Sequence, residues 1–319
     1  MELLKTLKGG SLSRTDVLVQ GGRKFVRKFV SSTESREYGL VRWQSQVRKL
    51  QILNKYIPES CIKIESMGVL KEGYYYDVPF YETHINGFEA VMNGVSADTI
   101  AAETDRLLSK MVEVKLGQSK GALSIYANEE IYSPLCLALR NINNSQLPLN
   151  KEESELFRSK VMIGIDIARN IAERLCDEVI EETLTHGNLT LENMLWDAEN
   201  EKIIVIDPYA ETYCETIMGD VSQLLQSCES GYELISSFYD SNEIDVGSYP
   251  KNRIPDSLRK FSIKLLSLIA DRTWYSETHL NIMKASQFIR MYPFKLIKSP
   301  RQGVAFMMHG IELLEQSQC

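Results

Sequence analysis

One stretch of the chain decides the fold, and it reads HGNLTLENMLWDAENEKIIVID over residues 186–207. Turn-forming residues precede Asn193, and a polar break at Asp197 to Glu201 separates a short apolar segment from a β-branched run that ends in Asp207. Two apolar runs joined by a polar break are typical of a strand hairpin. The stretch therefore predicts a loop followed by two strands, with Asp207 where the second strand ends.

Asn193 and Asp207 place an amide and a carboxylate at the two ends of this hairpin. Oxygen ligands of this kind are the ones that Mg²⁺ prefers in proteins. We therefore expect Asn193 and Asp207 to be the metal ligands.

The spacing His186-x-Asn188-x-x-x-x-Asn193, followed by Asp207, resembles the catalytic loop and metal-binding turn of the kinase-like phosphotransferases, the aminoglycoside phosphotransferase and choline kinase group. Those enzymes carry His-Gly-Asp where this chain has His186-Gly187-Asn188. The resemblance implies that His186 and Asn188 are the catalytic-loop residues, with an amide at the position that normally holds the base. Protein kinases proper carry Arg at the position of Gly187 and a later Ala-Pro-Glu, so the small-molecule branch is favoured.

The resemblance implies an α+β fold of the protein-kinase-like, bilobal kind. We expect a small N-terminal antiparallel β lobe with one helix over residues 1–83, which would bind the nucleotide. We expect a larger, mostly helical lobe over 84–319, with the catalytic loop and the substrate pocket. Residues 79–83 would lead to the hinge that holds an adenine ring. The order of the chain agrees, because β-rich runs come first and helical apolar spacing begins near Ala97.

Gly9, Gly10 and Ser11 lie in a loop that enters a predicted hairpin turning at Gly21-Gly22. Backbone N–H groups of such a loop can approach phosphate oxygens closely because glycine has no Cβ. We therefore expect Gly9, Gly10 and Ser11 to contact the nucleotide, with an ordinary turn as the alternative.

Lys28 follows on the second strand of this hairpin, and Lys24 points to the same face. In kinase-like folds a Lys at this position contacts the α and β phosphates. The sequence that ends at Lys28 resembles the end of the corresponding strand in the family more closely, so Lys28 is preferred. Lys24 is the competing candidate.

Apolar residues at helical spacing predict a helix over 37–55. Most family members carry a Glu on this helix that pairs with the strand Lys, and the apolar spacing assigns Gln46 to that position. An amide can hydrogen-bond an ammonium but brings no charge, so Lys28 would be held less firmly. The alternative is that Gln46 is a surface residue.

The rest of the chain is mostly helical by its periodicity. Helices are predicted over 98–114, 128–141, 152–180, 256–270, 276–291 and 301–316. Asp220 would open a further helix as its N-cap or in its first turn, and by resemblance would brace the catalytic loop. Pro293 and Pro300 are expected to break helices, and His279 and His309 suggest no role.

Composition limits the classes of partner. The chain has 319 residues, 44% of them hydrophobic, and a formal charge of −7, which argues against nucleic acid or an anionic membrane as the main partner. Residues 1–60 hold 12 Lys or Arg against 5 Asp or Glu, which suits a polyphosphate ligand or merely solvated helix faces.

The six cysteines show no C-x-x-C motif and no zinc-site spacing. The N-terminus lacks an apolar leader, and no apolar run approaches the length of a membrane span. We therefore expect reduced thiols and a cytoplasmic protein.

Two hypotheses for function follow from the resemblance. The first is a phosphotransferase that uses ATP and Mg²⁺ to phosphorylate a hydroxyl of a small molecule, possibly a sugar or glycan precursor. The second is a pseudokinase that binds Mg-nucleotide and acts through a protein partner. Gln46 and Asn188 both lack a carboxylate and favour the second hypothesis, whereas Lys28, Asn193 and Asp207 are compatible with both.

Overall fold

The N-terminal part of the chain is a five-stranded antiparallel sheet in the order β1-β2-β3-β5-β4, seen in a computed structural model that describes residues 1–7, 13–31, 36–210, 212–234 and 253–317. Its strands are Glu2–Leu7 (β1), Ser13–Gln20 (β2), Arg23–Ser31 (β3), Ser66–Leu70 (β4) and Gly73–Pro79 (β5). Gly21 and Gly22 form the β2–β3 turn with φ angles of 58° and 80°, the left-handed conformation that suits a two-residue hairpin turn. The predicted β2–β3 hairpin is confirmed.

One helix, α1 (Arg36–Tyr56), packs on this sheet and confirms the helix predicted over 37–55. Val47, Leu50 and Leu53 recur at helical spacing and face the core. The polar residues Gln46 and Lys49 are buried on the same side of the helix. Two polar side chains of α1 are therefore enclosed by the protein and need polar partners.

Helices make up most of the chain after residue 86. They are α2 (Gly87–Met92), α3 (Ala97–Glu113), α4 (Ala122–Ala127), α5 (Ser133–Asn143), α6 (Lys151–Arg174), α7 (Ile217–Ser230), α8 (Asp256–Ile269), α9 (Glu277–Ile289), α10 (Tyr292–Lys298) and α11 (Pro300–Gln316). A continuous cluster of buried apolar side chains runs from Val47 of α1 to Leu314 of α11, so the sheet and the helices share a core. None of the helices in the described ranges has the length and apolar character needed to span a bilayer.

A small sheet holds the stretch that decides the fold. Its strands β6 (Ile85–Asn86), β9 (Met194–Asp197) and β10 (Lys202–Val205) lie in the order β10-β9-β6, which confirms the predicted hairpin. The backbone N–H of Val205 donates to the carbonyl of Ser60 (2.8 Å), and that of Ile62 donates to the carbonyl of Val205 (3.1 Å). The segment after α1 therefore fixes the end of β10, just before Asp207.

The sequence prediction was wrong at two places in the strands. β1 was not predicted, since its residues are mostly exposed and bury little apolar surface. The helix predicted over 152–180 ends at Arg174, and Val179–Thr183 instead forms β8, paired with β7 (Lys115–Lys120). The β-branched residues of β8 explain why tertiary pairing prevails there over helical spacing.

Two helical predictions also need correction. The helix predicted from 128 begins with a π-helical turn at Asn128–Tyr132 that joins α4 to α5. Pro293 does not break a helix but lies in the first turn of α10. A proline is tolerated there because the N–H groups of the first turn have no partner within the helix.

Candidate active site

Lys28 and Asp207 meet in an ion pair that joins the N-terminal sheet to the segment after β10. The Lys28 side chain is only 7% exposed, and that of Asp207 is 37% exposed. Lys24, the competing candidate, forms an ion pair with Glu82 at 2.9 Å instead. The predicted cation Lys28 and the predicted acid Asp207 therefore come together from positions 179 residues apart, whereas Lys24 pairs with a different acid.

The backbone and charge of Asp207 are both unusual. Its φ angle is 56°, in the left-handed region that residues other than glycine seldom adopt and that costs of the order of 1 kcal/mol. Burial by itself would raise the pKa of this carboxyl, but the charge of Lys28 and its hydrogen bond outweigh burial, so the pKa of Asp207 lies below its ordinary value. Asp207 is therefore a carboxylate at neutral pH.

The first turns of α7 hold the loop of residues 186–193, called the catalytic loop here after the sequence resemblance, by its backbone. The two carboxylate oxygens of Asp220 accept hydrogen bonds from the N–H groups of His186 (2.6 Å) and Gly187 (2.7 Å). Gln223, one turn later, accepts from the N–H of Leu189 (2.7 Å) and donates to the carbonyl of Gly187 (3.0 Å). Asp220 lies in the first turn but is not the N-cap, which is Thr216. It braces the loop as the resemblance implied.

Burial raises the pKa of Asp220 to about 7, although its two backbone N–H bonds act in the opposite direction. The sequence reasoning missed Gln223 and Ser227, whose hydroxyl accepts a hydrogen bond from the N–H of Leu191 (3.2 Å). A signal was present, because residues 220, 223 and 227 form a polar stripe at helical spacing.

Asn188 and Asn193 belong to the same hydrogen-bonded cluster as Asp207. The side-chain N–H₂ of Asn193 donates to the carbonyl of Asn188 (2.8 Å), and that of Asn188 reaches the carbonyl of Asp207 at 3.5 Å, a long contact. The N–H of Ile206 donates to the carbonyl of Asn193 (2.9 Å). The amide nitrogen of Asn193 is thus engaged within the loop, which leaves its side-chain oxygen as the atom available to bind a cation.

His186 is fully buried and acts as a connector. Its Nε2 contacts the carbonyl of Ile206 at 2.8 Å, and a carbonyl only accepts, so Nε2 carries the proton. Its own carbonyl accepts from the N–H of Tyr209 (2.9 Å). Burial lowers the pKa of His186 to about 4, so the ring is neutral near pH 7. The structure places His186 where it ties the loop to the residues on both sides of Asp207.

Gln46 is 2% exposed, so the alternative that it is a surface residue is wrong. Its side-chain oxygen accepts from the hydroxyl of Tyr76 at 3.5 Å, and the same hydroxyl lies 3.5 Å from Asp207. Burial raises the pKa of Tyr76 well above its ordinary value, so the hydroxyl keeps its proton. Gln46 therefore reaches the Lys28–Asp207 pair through Tyr76, and both contacts are at the limit of a hydrogen bond.

A second ion pair between the lobes was not predicted. Lys49, buried on α1, donates to both carboxylate oxygens of Glu215 (2.9 and 2.8 Å) and to the hydroxyl of Thr185 (3.0 Å). Thr185 also donates to Glu215. Because Thr185 precedes His186, this cluster attaches α1 to the base of the catalytic loop.

Gly9, Gly10 and Ser11 lie outside the described residues, so their contact with a nucleotide stays a prediction. Among the described residues no group of three or more His, Cys, Asp or Glu side chains is arranged to hold a metal. Asn193 and Asp207 offer two oxygen ligands. That set fits Mg²⁺ bound together with nucleotide phosphates, since Mg²⁺ in such sites takes few protein ligands and keeps phosphate and water oxygens.

The five described cysteines are all free thiols, as expected. His279 contacts Glu178 at 2.7 Å, and the buried ring of His309 packs edge-on against Phe288.

Comparison with solved structures places the chain in the protein-kinase-like fold. One match is a glucosamine kinase in complex with glucosamine, ADP and inorganic phosphate. The alignment covers 96% of this chain and 75% of the kinase chain, with 12% sequence identity and a TM-score of 0.54. A glucosamine kinase in another crystal form aligns over 95% of this chain and 77% of the kinase chain, with 12% sequence identity and a TM-score of 0.59. A fructosamine-3-kinase-like protein from Haemophilus somnus 129PT aligns over 97% of this chain and 90% of its own chain, with 12% sequence identity and a TM-score of 0.58.

No protein-family profile and no curated protein sequence matches this chain. At such low identity the structural likeness shows the fold alone. The expected fold class, an N-terminal antiparallel β lobe with one helix and a larger helical lobe of the kinase-like kind, is thereby confirmed. The lobe boundary between residues 83 and 84 stays a prediction.

Lys49→Met leaves Glu215 without its cation at a site where the Lys49 and Glu215 side chains are only 5% and 22% exposed. Removing one partner of a buried ion pair typically costs about 3–5 kcal/mol. We therefore expect the free energy of unfolding, measured with urea, to fall by roughly 3 kcal/mol. The matched control is Lys151→Met, whose surface pair with Glu155 is 91% and 68% exposed, and which should cost below about 1 kcal/mol. Equal losses in both variants would show that the buried pair does not link the lobes.

His186 makes stability depend on pH. In the unfolded chain its pKa is about 6.5, and in the fold it is about 4, so the unfolded chain binds more protons between these values. Stability is therefore highest above pH 6.5 and falls as the pH is lowered towards 4. When the pH is lowered from 7 to 4.5, the free energy of unfolding measured with urea should fall by roughly 2–3 kcal/mol more in the wild type than in His186→Gln. The same loss in both proteins would contradict a buried, neutral His186.

Proposed function

We propose that the chain is an ATP-dependent phosphotransferase that moves the γ-phosphoryl group to a hydroxyl of a small, sugar-type molecule. The Lys28–Asp207 ion pair beside the 186–193 loop carries this proposal, because a kinase-like fold needs this cation and this acid together at the phosphates. The structural neighbours add support, since one of them is a glucosamine kinase with glucosamine, ADP and inorganic phosphate bound.

Each residue has a proposed role. Lys28 would neutralise the α and β phosphate oxygens, and Gln46 would act indirectly through Tyr76. Asn193 and Asp207 would hold Mg²⁺, which when bound offsets negative charge on the phosphates. Gly9, Gly10 and Ser11 would donate backbone N–H groups to the same phosphates.

In the transfer step, a bond forms between the acceptor oxygen and the γ-phosphorus. The bond from that phosphorus to the β–γ bridging oxygen breaks, ADP leaves, and the hydroxyl proton passes to solvent.

Asn188 sets the expected rate. An amide oxygen can orient the acceptor hydroxyl but cannot take its proton. His186 and Asp220 are both engaged elsewhere: His186 donates through Nε2 to the carbonyl of Ile206, and both oxygens of Asp220 accept backbone N–H bonds. Phosphoryl transfer has a loose transition state in which positioning and charge neutralisation matter more than proton removal. Slow transfer is therefore compatible with Asn188.

A second candidate function is a pseudokinase that binds Mg-nucleotide and acts through a protein partner. Two observations favour it, the amide at position 188 and the amide of Gln46 where the family carries a carboxylate. Binding of Mg-ATP without turnover would identify this function.

Asn188→Asp separates the two functions in an assay of ADP release over a panel of sugars and amino sugars. A general base typically contributes about 10²–10⁴ in rate, so the variant should turn over faster than the wild type by up to that factor. Asn144→Asp, at an exposed helix end, makes the same change away from the site and should leave the rate unchanged. Slow wild-type turnover that disappears in Asp207→Ala supports the enzyme. If the wild type and Asn188→Asp both lack turnover with every acceptor, the phosphotransferase proposal is wrong.

A further inference from the structure

One edge of the N-terminal sheet ends in a strand that is open on its outer side. β4 is the last strand in the order β1-β2-β3-β5-β4, and among the described strands only β5 pairs with it. Three of its large apolar side chains are exposed: Met67 (48%), Val69 (69%) and Leu70 (41%). An open edge strand with apolar side chains is a template for pairing with another strand, and proteins usually protect such edges.

The register of β4 with β5 shows which backbone groups of β4 point outwards. Leu70 and Gly73 flank the two-residue turn and face each other, so they form the hydrogen-bonded pair that closes the hairpin. Hydrogen-bonded and non-hydrogen-bonded pairs alternate along an antiparallel ladder, so the N–H and C=O groups of Met67 and Val69 point away from β5. The backbone hydrogen bonds among the described residues include none to these groups.

The opposite edge of the sheet is built differently. β1 also exposes apolar side chains, among them Leu3, but its register with β2 shifts between Leu3 and Lys5, where an extra residue forms a β-bulge. A bulge bends an edge strand and interrupts its row of outward groups, which is a common way to prevent pairing. No register shift occurs within β4. β4 is therefore the edge that is suited to pairing.

β4 matches a second copy of itself in one antiparallel register. When two copies of β4 pair about a two-fold axis at Gly68, Met67 of each copy lies opposite Val69 of the other. The outward groups of Met67 and Val69 then bond to each other across the axis, and the two side chains form an apolar cross-strand pair on one face of the joined sheet. Gly68 faces itself on the axis, where the lack of a Cβ allows close approach.

Charge favours the same register. Glu65 precedes β4 and Lys71 lies in the turn after it, and the register centred on Gly68 places Lys71 of one copy beside Glu65 of the other. Glu65 also forms an ion pair with Arg23 of its own chain, so its carboxylate would lie between two cations. Shifting the pairing by two residues would instead place Glu65 or Lys71 opposite an apolar side chain. Charge and apolar pairing thus agree on one partner, a second copy of this chain.

The helix on this sheet leaves room for the second copy. α1 packs on β5 and β3. Neighbouring strands lie about 4.8 Å apart, so the β5 strands of the two copies would be roughly 14 Å apart in the joined sheet. That separation exceeds the 8–10 Å or so between the axes of packed helices, so the two α1 helices do not collide across the axis.

We propose that β4 is a self-association surface, through which two copies of the chain join their N-terminal sheets into one continuous antiparallel sheet centred on Gly68. The assembly closes as a dimer, because the two-fold axis uses the β4 edge of both copies. Stable interfaces bury about 1,200–2,000 Å², and a strand of five residues reaches at most the lower end of that range. The dimer is therefore reversible, with a dissociation constant of about 10⁻⁶–10⁻⁴ M. It does not depend on the proposed phosphotransferase activity.

Sedimentation velocity of the full chain, at concentrations up to about 10⁻⁴ M, tests the proposal. The wild type should change from monomer to dimer as the concentration rises, without larger species. Val69→Lys places an ammonium opposite Met67 at both ends of the paired strands and should weaken dimerisation more than roughly tenfold. Val69 is 69% exposed, so the variant should fold, which urea unfolding checks. Leu3→Lys, the matched change on β1 at a position 56% exposed, should dimerise like the wild type.

Cross-linking tests the register without relying on a charged variant. The Cα atoms of a hydrogen-bonded antiparallel pair lie about 5.5 Å apart, a distance that suits a disulfide. Met67→Cys mixed with Val69→Cys should therefore cross-link on mild oxidation faster than either variant alone, and peptide mapping should find the bond between residues 67 and 69. A wild type that stays monomeric, assembly beyond the dimer, equal effects of Val69→Lys and Leu3→Lys, or no preference for the mixed cross-link would overturn the proposal.

Discussion

The ion pair between Lys28 and Asp207 is the constraint on which the rest of the structure depends. It joins a strand of the N-terminal sheet to the residue beyond β10, and each side needs its own support. Lys28 is held by pairing of β3 with β2 and β5. Asp207 is held in a left-handed conformation at the end of a strand that pairs with both β9 and the segment after α1. The fold thereby brings opposite charges together at the place where we propose that the nucleotide phosphates bind.

The proposed site combines groups that suit a metal-bound nucleotide with amides at two positions. Lys28, Asn193 and Asp207 offer the groups that the proposed Mg-nucleotide site requires, whereas Asn188 and Gln46 are amides where the family that the sequence resembles carries carboxylates. The structure shows that α1 is attached to the base of the 186–193 loop through Lys49, Glu215 and Thr185. The loop is thus held at its base, which suits the proposed transfer because positioning and charge matter more there than proton removal.

The sequence predicts what depends on local pattern. The Gly21-Gly22 turn, the helix that carries Gln46 and the hairpin leading to Asp207 all follow from residues close together in the chain. That Lys28 and Asp207 lie together is an expectation that came from the resemblance to the kinase-like phosphotransferases. Contacts between distant elements could not be predicted this way. Lys49 and Glu215 are 166 residues apart, and neither has a local signal.

The switch from helix to strand at β8 likewise depends on its partner β7, which the pattern of 152–180 alone does not contain.

Calorimetric titration of Mg-ATP into the wild type, Lys28→Met and Asp207→Asn tests the central claim most directly. If Lys28 and Asp207 together bind the phosphates, the wild type binds Mg-ATP, both variants weaken binding by more than roughly tenfold, and Lys24→Met binds like the wild type. A wild type that does not bind Mg-ATP, or variants that bind it equally well, would contradict a nucleotide site at this ion pair.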